Sequence, residues 1–154
     1  MIEGMEKLVR EHSFFAGLGD EAIDLVAGCT RSVVFEAGKS LFHEGDPADE
    51  FFIIRHGRVA LEFSVPGRGA ITIQTIHEGE VAGLSWLIPP YRSTSGARAL
   101  EQVRAIGIDA RCLRRKCEAD PAFGYVMMMR FVPVLIERLQ ASRLQMLDVY
   151  GRAV

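Results

Sequence analysis

No apolar run in the sequence approaches the roughly 18 residues needed to cross a bilayer, so a membrane-spanning helix is not expected. Cysteine is scarce. Cys29, Cys112 and Cys117 lie at irregular spacing with no Cys-x-x-Cys pair, so neither a metal quartet nor a disulfide framework is expected, and three reduced, mostly buried thiols are. The histidines, His12, His43, His56 and His77, form no His-x-His, and His43-Glu44 alone makes no facial triad, so a metal site is not expected. No local Ser/His/Asp or Cys/His grouping marks a nucleophile, and an enzyme is not expected. An excess of positive charge is also missing. A formal charge of −2 gives no general attraction to nucleic acid. The opening MIEGMEKLVREH mixes both signs and lacks a signal-peptide core, which points to the cytoplasm.

What remains is an ordinary globular composition, 49% apolar and 25% charged over 154 residues, one domain's worth of chain. Residues 2–12 and 20–28 carry helical patterns. Ile2, Met5, Leu8 and Val9 share a face in the first, and Ala22, Ile23, Leu25 and Val26 follow Asp20 as N-cap in the second. Between them Phe14, Phe15 and Leu18 form an apolar plug. From Arg31 to Ile108 the period changes to two. The runs SVVF, LFH, FFIIR, VALEFSV, AITIQTI and VRAIGI are separated by the turn signals EAGKS, EGDPADE, RHGR, PGRG and HEGE. That spacing predicts an antiparallel β roll or sandwich of jelly-roll type, with Pro66-Gly67 as a hairpin turn.

Beyond Ile108 the chain turns helical. Asp109 caps a short helix through Cys117, and Asp120-Pro121 pairs an N-cap with proline at the first helical position. The remainder carries a heptad stripe: Tyr125, Val132, Leu139 and Met146 on one seam, Met128, Leu135, Ser142 and Val149 on the other. Two readings stay open, a helix packed on its own roll and a homodimer seam through Tyr125, Met128, Val132, Leu135, Leu139, Met146 and Val149. Pro133 should kink this segment or begin a second helix. The expected organisation is therefore a mainly β domain with flanking helices over residues 1–120 and a long dimerisation helix over residues 121–154.

The stretch from Gly79 to Arg98, GEVAGLSWLIPPYRSTSGAR, reads as strand, tight turn, one turn of helix, loop and strand. A helix start after Gly83 presents backbone N–H groups to an anion. Arg92 or Arg98 can fork a phosphate, with Ser93, Thr94 and Ser95 as further donors. The alternative is a surface loop with a solvated arginine.

Taken together the chain resembles the cyclic-nucleotide-binding domain family, specifically the bacterial catabolite-activator-like sensors. The resemblance covers residues 14–152 and rests on FEAGKSLFHEGDPADEFFIIRHGRVAL, with Gly38, Gly45, Asp46, Asp49, Phe52, Ile54, Gly57 and Val59 in the family's order. GEVAG at Gly79–Gly83, then RLQ and LDVYGR, extend it. The resemblance implies a phosphate-binding cassette after GEVAG, with a glutamate on the ribose 2′-hydroxyl and an arginine on the cyclic phosphate. Leu84 stands at the glutamate position, and the loop to Arg92 is one or two residues shorter. Leucine accepts no hydroxyl, and an unpaired buried hydroxyl costs about 1–3 kcal/mol, roughly one to two decades of affinity.

The implied ligand positions are Gly83, Leu84, Ser85, Trp86, Arg92, Ser93 and Thr94 in the cassette, with Arg138, Ser142 and Arg143 on the long helix. Trp86 and Pro89-Pro90-Tyr91 either wall off the pocket or offer a stacking surface; Arg98 faces outward or pairs with a carboxylate. The implied ligand is cAMP, cGMP or another small anion. In activator-like sensors a helix-turn-helix module follows LDVYGR, whereas this sequence stops at Val154, so direct DNA binding is not expected. The expectation is a stand-alone sensor domain signalling through a dimer helix. The alternatives are a ligand-free dimeric adaptor or mixed-dimer partner of Crp/Fnr-type transcription regulators, and the sensor part of such a regulator.

Overall fold

Alternation of apolar and polar residues between Thr30 and Asp109 produces eight strands in two four-stranded antiparallel sheets. They are β1 (Thr30–Phe35), β2 (Ser40–Phe42), β3 (Glu50–His56), β4 (Val59–Val65), β5 (Gly69–Ile76), β6 (Val81–Ala82), β7 (Gly96–Ala99) and β8 (Val103–Asp109). One sheet runs β1-β8-β3-β6 and the other β2-β7-β4-β5, the interleaved order of a jelly-roll-type β roll. Phe52, Ile54, Val59, Leu61, Ile76 and Val103 form the buried core of the roll together with Ala82, Ala97, Ala99 and Ala105. Fully burying one such aliphatic or aromatic side chain contributes about 1.5–3 kcal/mol. The protein is described by a computed structural model covering residues 2–152. Met1 and Val154, the ends of the two expected segments, and the side chain of Ile2 lie outside the described residues.

The chain divides into two units, Met1–Lys116 and Cys117–Val154. In the first, α1 (Ile2–Glu11), a 3-10 turn (Ser13–Phe15) and α2 (Asp20–Ala27) precede the roll. Val9, Phe15, Ile23 and Val26 are buried, and Phe14 and Leu18 half-buried, so the apolar plug is centred on Phe15. The cap of α2 differs from expectation: Gly19 is the N-cap and Asp20 the first helical residue. Asp20 forms a surface ion pair with Arg10, whose Nη1 lies 2.7 Å from its carboxylate.

After β8, α3 (Ala110–Ala119) begins with its first-turn amide at Cys112 donating to Asp109 Oδ1 at 3.1 Å. Asp120 caps α4 (Pro121–Arg152) in the same way, accepting from Phe123 N at 3.1 Å. Both expected caps are present. Pro133 neither ends α4 nor starts another helix; the helix is continuous over 32 residues. Proline removes a single donor, the partner of the Met129 carbonyl, and the ladder on either side carries the helix past it. Along α4, Phe123, Met127 and Phe131 are buried, whereas Tyr125, Met128, Val132, Leu135, Leu139, Met146 and Val149 are each between 37% and 68% exposed.

The expected three free thiols are corrected: Cys29 and Cys112 form a disulfide, 83 residues apart in sequence with Cα atoms 5.7 Å apart, and only Cys117 is free. The cause is strand register. Thr30 faces Ile108 across β1 and β8, and Asp109 N donates to Cys29 O at 2.8 Å, so the first turn of α3 returns Cys112 to Cys29. Burial, with Glu118 adding to it, pushes the Cys117 thiol up from its ordinary value.

Candidate functional site

The loop from Gly83 to Thr94 leaves the short strand β6, which is fixed by pairing Val81 and Ala82 with Ile53 and Phe52 of β3. Gly83 has φ +104°, and a Cβ there would lie 3.2 Å from Phe51 Cβ and 3.4 Å from the Phe42 ring. Only glycine fits both the backbone and the space. Leu84 then leads into a 3-10 turn, Ser85–Leu87, and contributes no side-chain cap. Trp86 is 1% exposed, with its ring stacked on Phe51 at a centroid distance of 4.6 Å. Expected either to wall a pocket or to stack on a ligand, Trp86 instead belongs to the core and pins the loop's first turn.

The loop's far end is held by the turn before β3. Ala48 N donates to Tyr91 O at 2.7 Å, Ser93 N to Asp46 O at 2.8 Å, and Gly45 N to Ser93 O at 2.8 Å. Arg92 sits in an isolated β-bridge with Pro47, and its Nη1 donates to Gly45 O at 3.1 Å. Thr94 N donates to Ser85 Oγ at 3.3 Å, closing the loop across its base. Ser93 is 8% exposed. Its place is structural.

Between these ends lies a cavity of about 270 Å³ lined by Leu84, Ser85, Ile88, Pro89, Pro90, Arg92 and Thr94. Of the cassette positions expected from sequence, Leu84, Ser85, Arg92 and Thr94 therefore converge on one space, whereas Gly83 does not line it and Trp86 and Ser93 are buried away from it. Arg92 is exposed and, among the described residues, has no carboxylate partner. Arg98 does have one: its Nε donates to Glu62 Oε1 at 2.5 Å on the neighbouring strand. Of the two, Arg92 is the arginine without a carboxylate partner among the described residues. A second cavity, about 170 Å³, is bordered by Ser40 and Phe42 of β2, Glu62 and Phe63 of β4, and Gly96, Ala97 and Arg98 of β7. On α4, Arg138 is half-buried while Ser142 and Arg143 are exposed.

Sequence reasoning missed three contributors. Gly45 and Pro47 appear in EGDPADE as part of a turn signal, and Gly45 in the resemblance, neither with a link to Arg92, yet that turn holds Arg92. Arg114 sits in the charge run RRK, which has no motif, yet it reaches Tyr91 and the Trp86 carbonyl.

Chemically, the site offers one guanidinium, hydroxyls and apolar walls, and Leu84 supplies no acceptor. It suits a small anion with an apolar or flat remainder.

Residues 32–120 match the model of the family described as the cyclic nucleotide-binding domain, and the chain belongs to that family. It is 30% identical over 148 residues to cyclic nucleotide-gated ion channel 18 of Arabidopsis thaliana, covering 90% of this chain and 19% of the channel. To the CRP-like cAMP-activated global transcriptional regulator of Mycobacterium tuberculosis it is 24% identical over 145 residues, covering 94% of this chain and 63% of the regulator. The chain thus spans less than two thirds of either relative. A solved structure from Geobacter metallireducens, named for cyclic nucleotide binding, superposes with a TM-score of 0.77 at 33% identity, covering 87% of this chain and 96% of that one. No helix among the described residues is long and apolar enough to cross a membrane.

Proposed function

We propose that this chain is a regulatory domain that binds a cyclic nucleotide, or a small anion like it, in the cavity under the Gly83–Thr94 loop. Arg92 pairs with the phosphate, Thr94 adds a hydroxyl, and Ile88 and Leu84 take the apolar edge. The observation that carries this is the unneutralised Arg92 guanidinium on a cavity at the family's cassette position. A guanidinium and a phosphate form a charge-assisted, two-pronged hydrogen bond. The Leu84 side chain leaves a ribose hydroxyl without its acceptor, and Ser85 Oγ is already accepting from Thr94 N, so affinity for cAMP is expected in the micromolar range or weaker.

Calorimetric titration with cAMP and cGMP tests it. Saturable binding by one of them is expected, weakened at least tenfold in Arg92→Ala, about the 1.5–3 kcal/mol of a hydrogen bond to a charged group. No heat with either nucleotide would remove the claim. It would leave a second reading, a ligand-free dimeric adaptor or mixed-dimer partner of transcription regulators, which Leu84 favours.

Either reading uses α4 as a pairing surface. Its apolar seam is exposed over more than three heptads, from Tyr125 to Val149, a length at which unburied leucine and methionine favour association. The proposed partner is α4 of a second copy, and the ligand would bias its geometry as a two-state element. Placing a charge in the seam with Leu135→Glu and Leu139→Glu is expected to turn a dimer into a monomer in sedimentation velocity. A wild-type chain that sediments as a monomer at tens of micromolar would sink the dimer proposal.

A further inference from the structure

Arg114, on α3, makes two contacts with one loop. Its guanidinium carbon lies 4.0 Å from the centroid of the Tyr91 ring, and its Nη1 donates to the Trp86 carbonyl at 2.8 Å. Residues 86 and 91 sit at opposite ends of the exposed Ile88-Pro89-Pro90 tip, so a single planar group spans the loop's neck. The loop needs such a restraint. Tyr91 has φ +56°, the left-handed region that a bulky residue occupies only when its surroundings impose it.

The helix supplying the restraint is itself fixed. Leu113 is fully buried, Cys112 is bonded to Cys29, and Lys116 Nζ donates to Leu25 O at 2.7 Å. The post is rigid and the loop is what it holds. Lysine could not replace the arginine here, because it lacks a flat face to lie on the ring while an edge N–H reaches the carbonyl.

We propose that Arg114 is a positioning residue: it latches the Gly83–Thr94 loop to α3 and so keeps the cavity beside Arg92 in its ligand-receiving shape. The proposal rests on the reading of that loop as a ligand site, and it adds how the site is preorganised. A loop that visits other shapes loses affinity in proportion to the fraction of time it is misplaced.

Hydrogen exchange on the full chain tests this without any ligand. The amides of Leu87, Tyr91 and Thr94, bonded to Leu84 O, Ile88 O and Ser85 Oγ, report on the loop. Arg114→Ala, which removes a cation–π contact and a hydrogen bond, should speed their exchange about tenfold, and Tyr91→Leu, which removes the cation–π contact alone, about threefold. Amides of β3 and β8 should keep their wild-type protection, and Tyr91→Phe, which preserves the ring face, should behave as wild type. Acrylamide quenching of Trp86, the only tryptophan, should rise in the two loosened variants.

Unchanged loop exchange in Arg114→Ala, or an equal rise in the core strands, would overturn the latch. Titration with cAMP and cGMP separates this from the ligand reading. Loosening of the loop in a protein that binds neither nucleotide leaves the latch standing and removes the ligand. Binding by wild type and Arg114→Ala with equal affinity, over an unchanged loop, removes the latch and leaves the ligand.

Discussion

Adding a dithiol to the folded protein should lower its unfolding free energy by about 2–4 kcal/mol, and with it the melting temperature by roughly 4–16 °C for a chain of this length. The dithiol is oxidised to its own disulfide as Cys29 and Cys112 each gain a hydrogen. The folded contacts change little. What changes is the unfolded chain, which recovers the freedom of a closed loop with a sequence separation of 83 residues. Cys29→Ser should melt at the temperature of the reduced protein and be indifferent to dithiol. Cys117→Ser should match the oxidised wild type, because its thiol is outside the pair. Identical melts with and without dithiol, together with three alkylatable thiols in the unfolded protein before reduction, would show that the bond is not there.

Trp86→Ala should cost about 3–5 kcal/mol in chemical denaturation followed by circular dichroism. The ring is 1% exposed and lies nearly parallel to Phe51, so its removal leaves a large void at the join of β3 and the loop. Trp86→Phe, which keeps a ring on Phe51, should recover much of that loss. The outcome separates two roles that the sequence left joined. A loss under about 1 kcal/mol, with a large change in nucleotide affinity, would return Trp86 to the ligand surface.

The roll was legible because its signals are local. Period two marks a half-buried strand, and Gly38, Gly45, Gly57, Gly67 and Gly79 all take the positive φ that their turn positions demanded. Asp109 and Asp120 are also local, since a cap acts on an amide three residues on. Of the places open to Arg98, outward, on a carboxylate or on a phosphate, it takes the second, on Glu62 of the neighbouring strand.

What escaped depends on pairs distant in sequence. No spacing rule connects Cys29 to Cys112, because the register of β1 on β8 creates their proximity. Trp86 looked available to a ligand since a bulky residue in a Gly/Pro loop carries no mark of which way it faces. Arg114 lay in an unremarkable charge run, and only the folded loop gives it the Tyr91 ring. The N-cap of α2 lies one residue earlier than expected because Gly19 takes the extended backbone of a cap and its carbonyl accepts from Ile23 N at 3.0 Å. The Asp20 side chain is left to a surface pair with Arg10.

All eight strands lie between Cys29 and Cys112. The covalent link therefore gives the β roll a closed circuit of its own, with α1 and α2 entering at one sulfur and α4 leaving beyond the other. Tension applied at the two ends of this chain would run from α2 into α3 through the sulfur pair and bypass both sheets. Pulling would pay out only the chain outside the ring, until a reductant opened it and released the contour of the whole roll at once. The Gly83–Thr94 loop sits inside the segment that carries no load.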